Sequence, residues 1–501
     1  MAQKDVIVVV QRDALPKEKE NLDILLVSTT GARPVEVYRD IEMVKAVFGP
    51  DGPCPNSKVV RKATTLLNQG KTTLADTLVS KFKIVGFEPP SASAALPAKF
   101  SIDFTSVVFA DDAAIPSGKT LYVKIGGDDK AVVEISTTTE VASPAGLAGL
   151  FADTTFTKGG KTYSAAVDGS AVTYTATVPG SADSIPARIN IYADEAMTQE
   201  LLFKPDDAVV VKFVNGRDAL SAPDALIQTI EQFRADVDND WYLLLTDRDE
   251  DEYVSALAKF AEASEPTEAE LGVGIEDHRK FYVGQTANKK FACKTARAAV
   301  IYTDPEFISE EPDASYVGNV APFYPNSVTW KFKRPQDGNA PTSAGVKLIS
   351  LPKLTESERS ELLENYVNFL TEEYKRQYVK NGTCLNGEFI DTVLGGDWIA
   401  KRMRNLLYDI LLENATIAYD DAGFGLVATA VLQTLAEAVD LGIIARDPES
   451  RTGVFTVVIP KYVESTEEQR RNRVMPDITW EALLAGAIHQ VKSKGALRAS
   501  L

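Results

Sequence analysis

The chain has 501 residues, enough for roughly two to four domains with separate cores. Its 71 acidic against 53 basic residues leave a net charge of -18, a balance that disfavours binding to a phosphate backbone. Cys54, Cys293 and Cys384 have no metal-ligand spacing and cannot all pair within one chain, which fits a reducing compartment or a fold indifferent to thiols. The opening MAQKDVIVVVQRD has an apolar run too short for a signal-peptide core, and no apolar run of roughly 18 residues occurs elsewhere. The expectation is a protein made and kept in cytoplasm, or in a particle assembled there.

In chain order, DVIVVVQ predicts a strand over 5–11, isolated before the charged connector 12–20. Such a strand must pair with a sheet in its own subunit or in a neighbour. DILLVS predicts a core strand, PVEVYRDIEMVKAVFG a strand and helix stopped by Gly49-Pro50, and 57–68 a second helix before the strand 82–87. From Pro89 the composition turns to Thr, Ser, Ala, Gly and Val. Short alternating runs (KFSIDFTSVVF, TLYVKI, AVVEIST, TYSAAV, VTYTATV, RINIYA) separated by turn signals predict a β-rich, sandwich-like domain inserted over 92–205. One helix is expected within it, over 143–151.

Strand and helix then alternate: ALIQTIEQFRADV, DWYLLLTD, a helix over 249–263, LGVGI, FYVGQT, a short helix near 288–292, and AAVIYT. This alternation predicts a mostly parallel sheet. Thr355 and Glu358 form a capping-box pattern that opens a predicted helix to about Lys380, with Leu362, Tyr366, Phe369, Leu370, Tyr374 and Tyr378 along one side. Next comes NGTCLNGEFIDTVLGGDWIAKRMRNLLYDILLEN, 381–414. Gly396 suits a sharp entry and Asp397 an N-cap for a helix beginning there. Met403, Leu406, Leu407, Ile410 and Leu411 share a face with Ile399. Lys401 and Tyr408 lie opposite, flanked by Arg402 and Arg404. A helix over 426–441, a strand over 453–460 and a closing apolar strand over 482–491 complete the chain.

The fold class is therefore mixed α/β and multidomain. Segments 1–91 and 206–350 form an α/β core, 92–205 the insertion, and 351–501 an α+β C-terminal domain joined by the N-terminal strand.

Signals for chemistry are weak. Gly70-Lys71-Thr72-Thr73 lacks the first glycine of a P-loop, since position 65 is Thr, and it follows a helix rather than a strand. His278 and His489 have no suitably spaced partners for zinc or general-base work. DRDEDE, 247–252, lacks the glycine and spaced Glu of a calcium loop and reads as a solvated helix N-terminus. Lys401, Arg402 and Arg404, and separately Arg470, Arg471 and Arg473, lack the aromatic interleaving of nucleic-acid binders. A solvated face, or docking to an acidic protein surface, accounts for the first cluster. No catalytic constellation, metal or cofactor is expected. An enzyme built on the α/β core, with the β-rich module as a binding domain, is the alternative class.

Three stretches resemble contractile-tail sheath proteins of bacteriophages and related injection machines: the helix ending VKAVFGPDGP, the unit NGEFIDTVLGGDWIAKRMRNLLYDILLEN, and the closing RRNRVMPDITWEALLAGAIHQV. The resemblance covers residues 355–501 best and the first hundred loosely, and the 92–205 insertion also looks like that group. It implies a virion subunit that polymerises helically around a tail tube and contracts without nucleotide hydrolysis. It further implies contacts with tube, baseplate and tail-terminator proteins, with no nucleic acid and no membrane insertion. Another virion role, in baseplate or tube, is the nearest alternative. Terminal arms are implied to add strands to neighbouring subunits. The corresponding residues are Val6, Ile7, Val8, Val9 and Val10, and Leu483, Leu484, Ala487, Ile488, Gln490 and Val491. Lys401, Arg402, Arg404 and Tyr408 would face the tube.

Overall fold

A computed structural model describes residues 22–69, 79–109, 114–126, 131–205, 208–266, 279–325, 327–340 and 347–489. The chain divides into two compact units: residues 1–90 with 226–501, and the intervening 91–225.

The larger unit is built on an eight-stranded sheet. Its order is Arg376–Val379, Asn368–Glu373, Ala298–Tyr302, Phe281–Thr286, Leu243–Thr246, Ile24–Ser28, Phe82–Gly86, Arg33–Tyr38. The six inner strands run parallel and the two edge strands antiparallel. ILLVS, LLLT, FYVGQT and AAVIY are buried along their whole length, as strands covered on both faces must be. The edge strand Arg33–Tyr38 instead alternates in exposure. Helices Ile41–Phe48, Ser57–Leu67 and Pro312–Val320 contribute Val44, Phe48, Val59, Leu66 and Val317 to its largest apolar cluster.

The order of the parallel strands reverses between Ile24–Ser28 and Leu243–Thr246, the place where open α/β sheets usually leave a ligand crevice. Here this chain's own polar groups converge on it. Asp247 accepts from Thr29 N and Oγ1, both at 2.8 Å, and from Asn56 Nδ2 at 2.6 Å. Nearby, the fully buried Lys62 meets Asp313, with Asp249 and Glu311 each at 3.5 Å. Lys58 pairs with Asp249, and Arg61 with Glu311 at 2.9 Å. Three cations thus face three carboxylates. Burial works against the Lys62 charge, but the three carboxylates outweigh it and hold its pKa above the ordinary value. Burial likewise acts to raise Asp249, while Lys62 and Lys58 hold it below its usual value.

DRDEDE does place acids at a helix N-terminus, with Glu250 and Glu252 exposed, but the run is not solvated throughout. Asp247 and Asp249 are buried, and Asp251 accepts from Thr286 and Asn288. The carboxylates have partners on other elements, which a local reading of the run does not weigh.

The unit 91–225 holds two antiparallel sheets. One has the order Val210–Val214, Lys99–Asp103, Ala171–Ala176, Lys161–Asp168, Thr155–Lys158; the other Ile189–Tyr192, Thr120–Ile125, Val132–Ser136. Alternation places Leu121, Val123 and Ile125 inward from one sheet, and Phe100, Ile102, Val172 and Tyr174 from the other. All share one core with Leu147 and Phe151, contributed by and just after the short helix Pro144–Gly149. Tyr163 stacks on Phe156 with centroids 4.7 Å apart. Val210–Val214, beyond the expected limit at 205, pairs with Lys99–Asp103 along its full length.

Other expectations need correction. The helix opened by the Thr355–Glu358 capping box spans only Glu356–Glu364. Asn365 ends it, Tyr366 takes a left-handed φ of 56°, and the chain continues as the hairpin Asn368–Glu373 and Arg376–Val379. Tyr374 and Lys375 both have positive φ, as a tight two-residue hairpin turn requires. Of the side chains whose spacing suggested a helix, Phe369 and Leu370 are buried in the sheet, whereas Tyr366 and Tyr374 are exposed. Residues 288–292 form a turn, in which Asn288 Oδ1 accepts from Lys290 N, rather than a helix. LGVGI, His278 and Gly70 to Thr73 lie outside the described residues.

Removing Lys62 leaves three buried carboxylates with only peripheral compensation. Lys62→Met is expected to cost roughly 3–5 kcal/mol, measured as a lowered midpoint in chemical denaturation. A loss under about 1 kcal/mol would show that the cluster is well solvated.

Candidate functional site

The 381–414 unit is one continuous helix, Ile390–Glu413, not a turn followed by a helix at Asp397. Ile390, Leu394, Trp398 and Ile399 form its buried stripe, and the helical spacing runs unbroken through Gly395-Gly396. Gly395 is present because of a close neighbour: a Cβ there would come within 2.9 Å of Ile443. The preceding turn is pinned to the sheet. Buried Asn368 accepts from Gly382 N at 2.7 Å and donates to Thr383 O at 2.9 Å, while Leu385 N donates to Ala298 O at 3.0 Å.

Asp397 caps nothing. From mid-helix its carboxylate accepts from Arg297 and from Tyr242 Oη at 2.5 Å, with Arg279 at 3.7 Å. Arg297 is buried and also reaches Glu265 at 3.2 Å and Lys280 O at 2.9 Å. Burial opposes the guanidinium charge, but Asp397 outweighs it and keeps the pKa above its ordinary value. Burial and then Asp397 push the Tyr242 hydroxyl far up, so it stays a donor. Arg297 opens the strand Ala298–Tyr302 and Tyr242 precedes Leu243–Thr246. The C-terminal helix is thereby tied to the N-terminal ends of the central strands.

Asp421–Asp440 packs on this helix, and Val431, Leu435, Ala438 and Val439 cover Trp398 and Ile399. Its length and composition would allow it to cross a membrane, and half of it is buried in this layer. Phe455–Val458 pairs with Thr479–Ala482 to complete the layer.

The basic residues are engaged within the chain. Arg402 makes two bonds to Glu437, at 2.7 and 2.9 Å. Lys401 lies 3.6 Å from Asp23, and Arg404 is half-buried. Beyond Met403 the helix outruns its cover: Tyr408 is 59 % exposed, Leu411 58 % and Leu412 80 %. The second cluster is engaged through Arg470, while Arg471 and Arg473 are exposed. Arg470 lies over the Tyr462 ring and donates to Ser465 O at 2.6 Å.

Of the expected arm residues, Val6 to Val10, Gln490 and Val491 lie outside the described residues. The closing strand is Thr479–Ala482, earlier than expected. Leu483 and Leu484 follow it and are exposed, as is Ile488; Ala487 belongs to no strand. Only Leu484 makes a bridge, to Ile444. Apolar composition suggested a strand over 482–491, but among the described residues beyond Ala482 the backbone pairing is confined to Leu483, Leu484 and Ala485 and builds no regular ladder. Among the described residues, no group of His, Cys, Asp and Glu could hold a metal ion.

The solved structures to which the chain is similar include sheath proteins of contractile injection systems and tail sheath proteins. One is a sheath tail protein from Desulfitobacterium hafniense, 10% identical, covering 88% of this chain and 91% of that one, with a TM-score of 0.40. A second is the PVC sheath complex of an extracellular contractile injection system in its contracted state, 15% identical over 55% of this chain and 75% of that one, TM-score 0.38. A third belongs to the anti-feeding prophage baseplate, 14% identical over 56% of this chain and 76% of that one, TM-score 0.40. No family model and no curated protein matches the sequence.

Asp397→Asn removes the charge from a site holding buried Arg297. It is expected to destabilise the chain by about 3 kcal/mol and to raise hydrogen exchange along Ile390–Glu413 first. Unchanged exchange in that helix would contradict the tie.

Proposed function

We propose that the chain is a contractile tail sheath subunit, many copies of which assemble helically around a tail tube and contract to drive it through a host envelope. One observation carries this reading. Among the described residues, more than half of the exposed large apolar side chains fall between Tyr408 and Ile488, under a fifth of the chain. Exposed apolar surface marks a protein interface where it is contiguous, as at the helix positions Tyr408, Leu411 and Leu412. The layer also ends in a two-stranded sheet, Phe455–Val458 with Thr479–Ala482, whose outer edges suit strand addition. Repeated heterologous contacts of one such patch with another surface give an open helix of subunits.

The strand-reversal point supports a structural role. Thr29, Asn56 and Asp247 occupy the place where an α/β enzyme holds its ligand. The tube contact is assigned to the projecting end of Ile390–Glu413. Tyr408, Leu411 and Leu412 would supply its apolar surface, with Lys401 and Arg404 at its flank. Arg402 is committed to Glu437 and acts as a brace. The arms 6–10 and 483–491 link neighbouring subunits, and the unit 91–225 is peripheral to the lattice. Tube, baseplate and terminator proteins are the partners, in a virion tail assembled in the host cytoplasm.

Leu411→Lys with Leu412→Lys tests this assignment. Both side chains are exposed, so the thermal midpoint should stay within a few degrees of wild type. Electron microscopy of the overexpressed chain should show hollow cylinders for wild type and dispersed subunits for the double variant. Normal cylinders from the variant would contradict the assignment.

A further inference from the structure

We propose that Leu483–His489 is a strap latched across its own subunit by His489, and that protonation of this imidazole releases it. The strap lies over a cleft lined by Ser327, Phe389, Thr392 and Ile443. Its first half is held by backbone: Leu483 N donates to Val454 O at 3.0 Å, Ala445 N to Leu483 O at 2.8 Å, and Ala485 N to Ile443 O at 2.9 Å. Gly486, Ala487 and Ile488 are exposed and make no hydrogen bond among the described residues. A Cβ on Gly486 would touch nothing within 4 Å. The far end is then fixed at one residue. His489 Nε2 bonds Thr329 Oγ1 at 2.8 Å, and its carbonyl accepts from Lys331 Nζ at 3.3 Å. Its ring meets Phe389 edge-on, with centroids 4.5 Å apart, and Phe332 at 6.3 Å.

The charged groups around the latch come from three elements. Lys331 lies on the stretch after Val328 and repels an imidazolium, while Asp391, at the start of Ile390–Glu413, attracts one. Lys333 faces Asp391, and on the neighbouring hairpin Glu373 and Lys380 act on Lys331 with opposite signs. Burial first, and then Lys331, hold the docked imidazole below its ordinary value; Asp391 only partly opposes them. A released strap regains a pKa of about 6.5. Docking is therefore independent of pH above that value. As pH falls through it, the released form takes up the proton first, and docking weakens by up to tenfold per unit until the docked value is reached. The strap belongs to the arm assigned to neighbour contacts. That acid would free it for a second subunit rests on the sheath reading; the latch itself does not.

The test is hydrogen exchange of the full-length dispersed subunit at pH 7.5 and 5.5, corrected for intrinsic rates. His489→Gln is the control, since it can keep a bond to Thr329 without titrating. Wild type should lose severalfold protection at Ala485 at the lower pH, while a reference peptide from Phe281–Thr286 stays protected and His489→Gln shows no change. Equal behaviour of wild type and His489→Gln would overturn the latch. Cylinder formation is scored separately by microscopy. A titrating strap without cylinders leaves the latch standing and counts against the sheath reading, whereas cylinders with a pH-insensitive strap do the reverse.

Discussion

The carboxylate of Asp397 is the contact on which the C-terminal layer depends. It lies inside a helix, yet its partners Arg297, Arg279 and Tyr242 belong to the central sheet or its flanking loops. Without this partner the buried guanidinium would keep only the exposed Glu265 as a counter-charge, and such a loss is far more costly than the pair is stabilising. Specificity follows from that asymmetry. Helix Ile390–Glu413 can sit on the sheet only in the register that brings Asp397 to Arg297, and Gly395 to Ile443. The opposite end of the sheet has its own buried charge cluster around Lys62. The parallel core is thus closed by ionic contacts at both strand ends, one internal to the core and one holding the layer that carries the exposed surface.

Much of the fold was legible because burial and periodicity agree in it. The inner strands are continuous apolar runs, and the 91–225 unit alternates cleanly, so mixed α/β with a β-rich insertion could be read directly. Two of the failures share a cause: side chains whose partners are remote in sequence. Asp397 has the local chemistry of a cap, and only its position in the stripe Ile390, Leu394, Trp398 marks it as mid-helix. Lys62 lies among Val59, Ala63 and Leu66 on the apolar side of its helix, a signal that could have exposed the cluster. The hairpin after Glu364 was hidden because aromatic residues at helical spacing also fit a strand, and its turn contains no glycine.

The candidate surface was only half legible. The amphipathic pattern of 399–411 put Leu411 on the face of buried Ile399, whereas Leu411 is exposed, and reading the opposite side as a free basic strip overlooked Glu437 and Asp23. What projects is an apolar tip with charges already paired beneath it. A contact made by such a tip is mainly desolvation, weakly dependent on salt, whereas exposed ion pairs are screened. Arg402 and Glu437 meanwhile tie the two helices to each other.

Assembly is assigned to the Tyr408 to Ile488 region. A cryo-electron microscopy reconstruction of the polymerised chain around its tube tests it most directly. Tyr408, Leu411 and Leu412 should be buried against another molecule while the Asp397–Arg297 contact is retained. A helical assembly in which that helix tip faces solvent would contradict it.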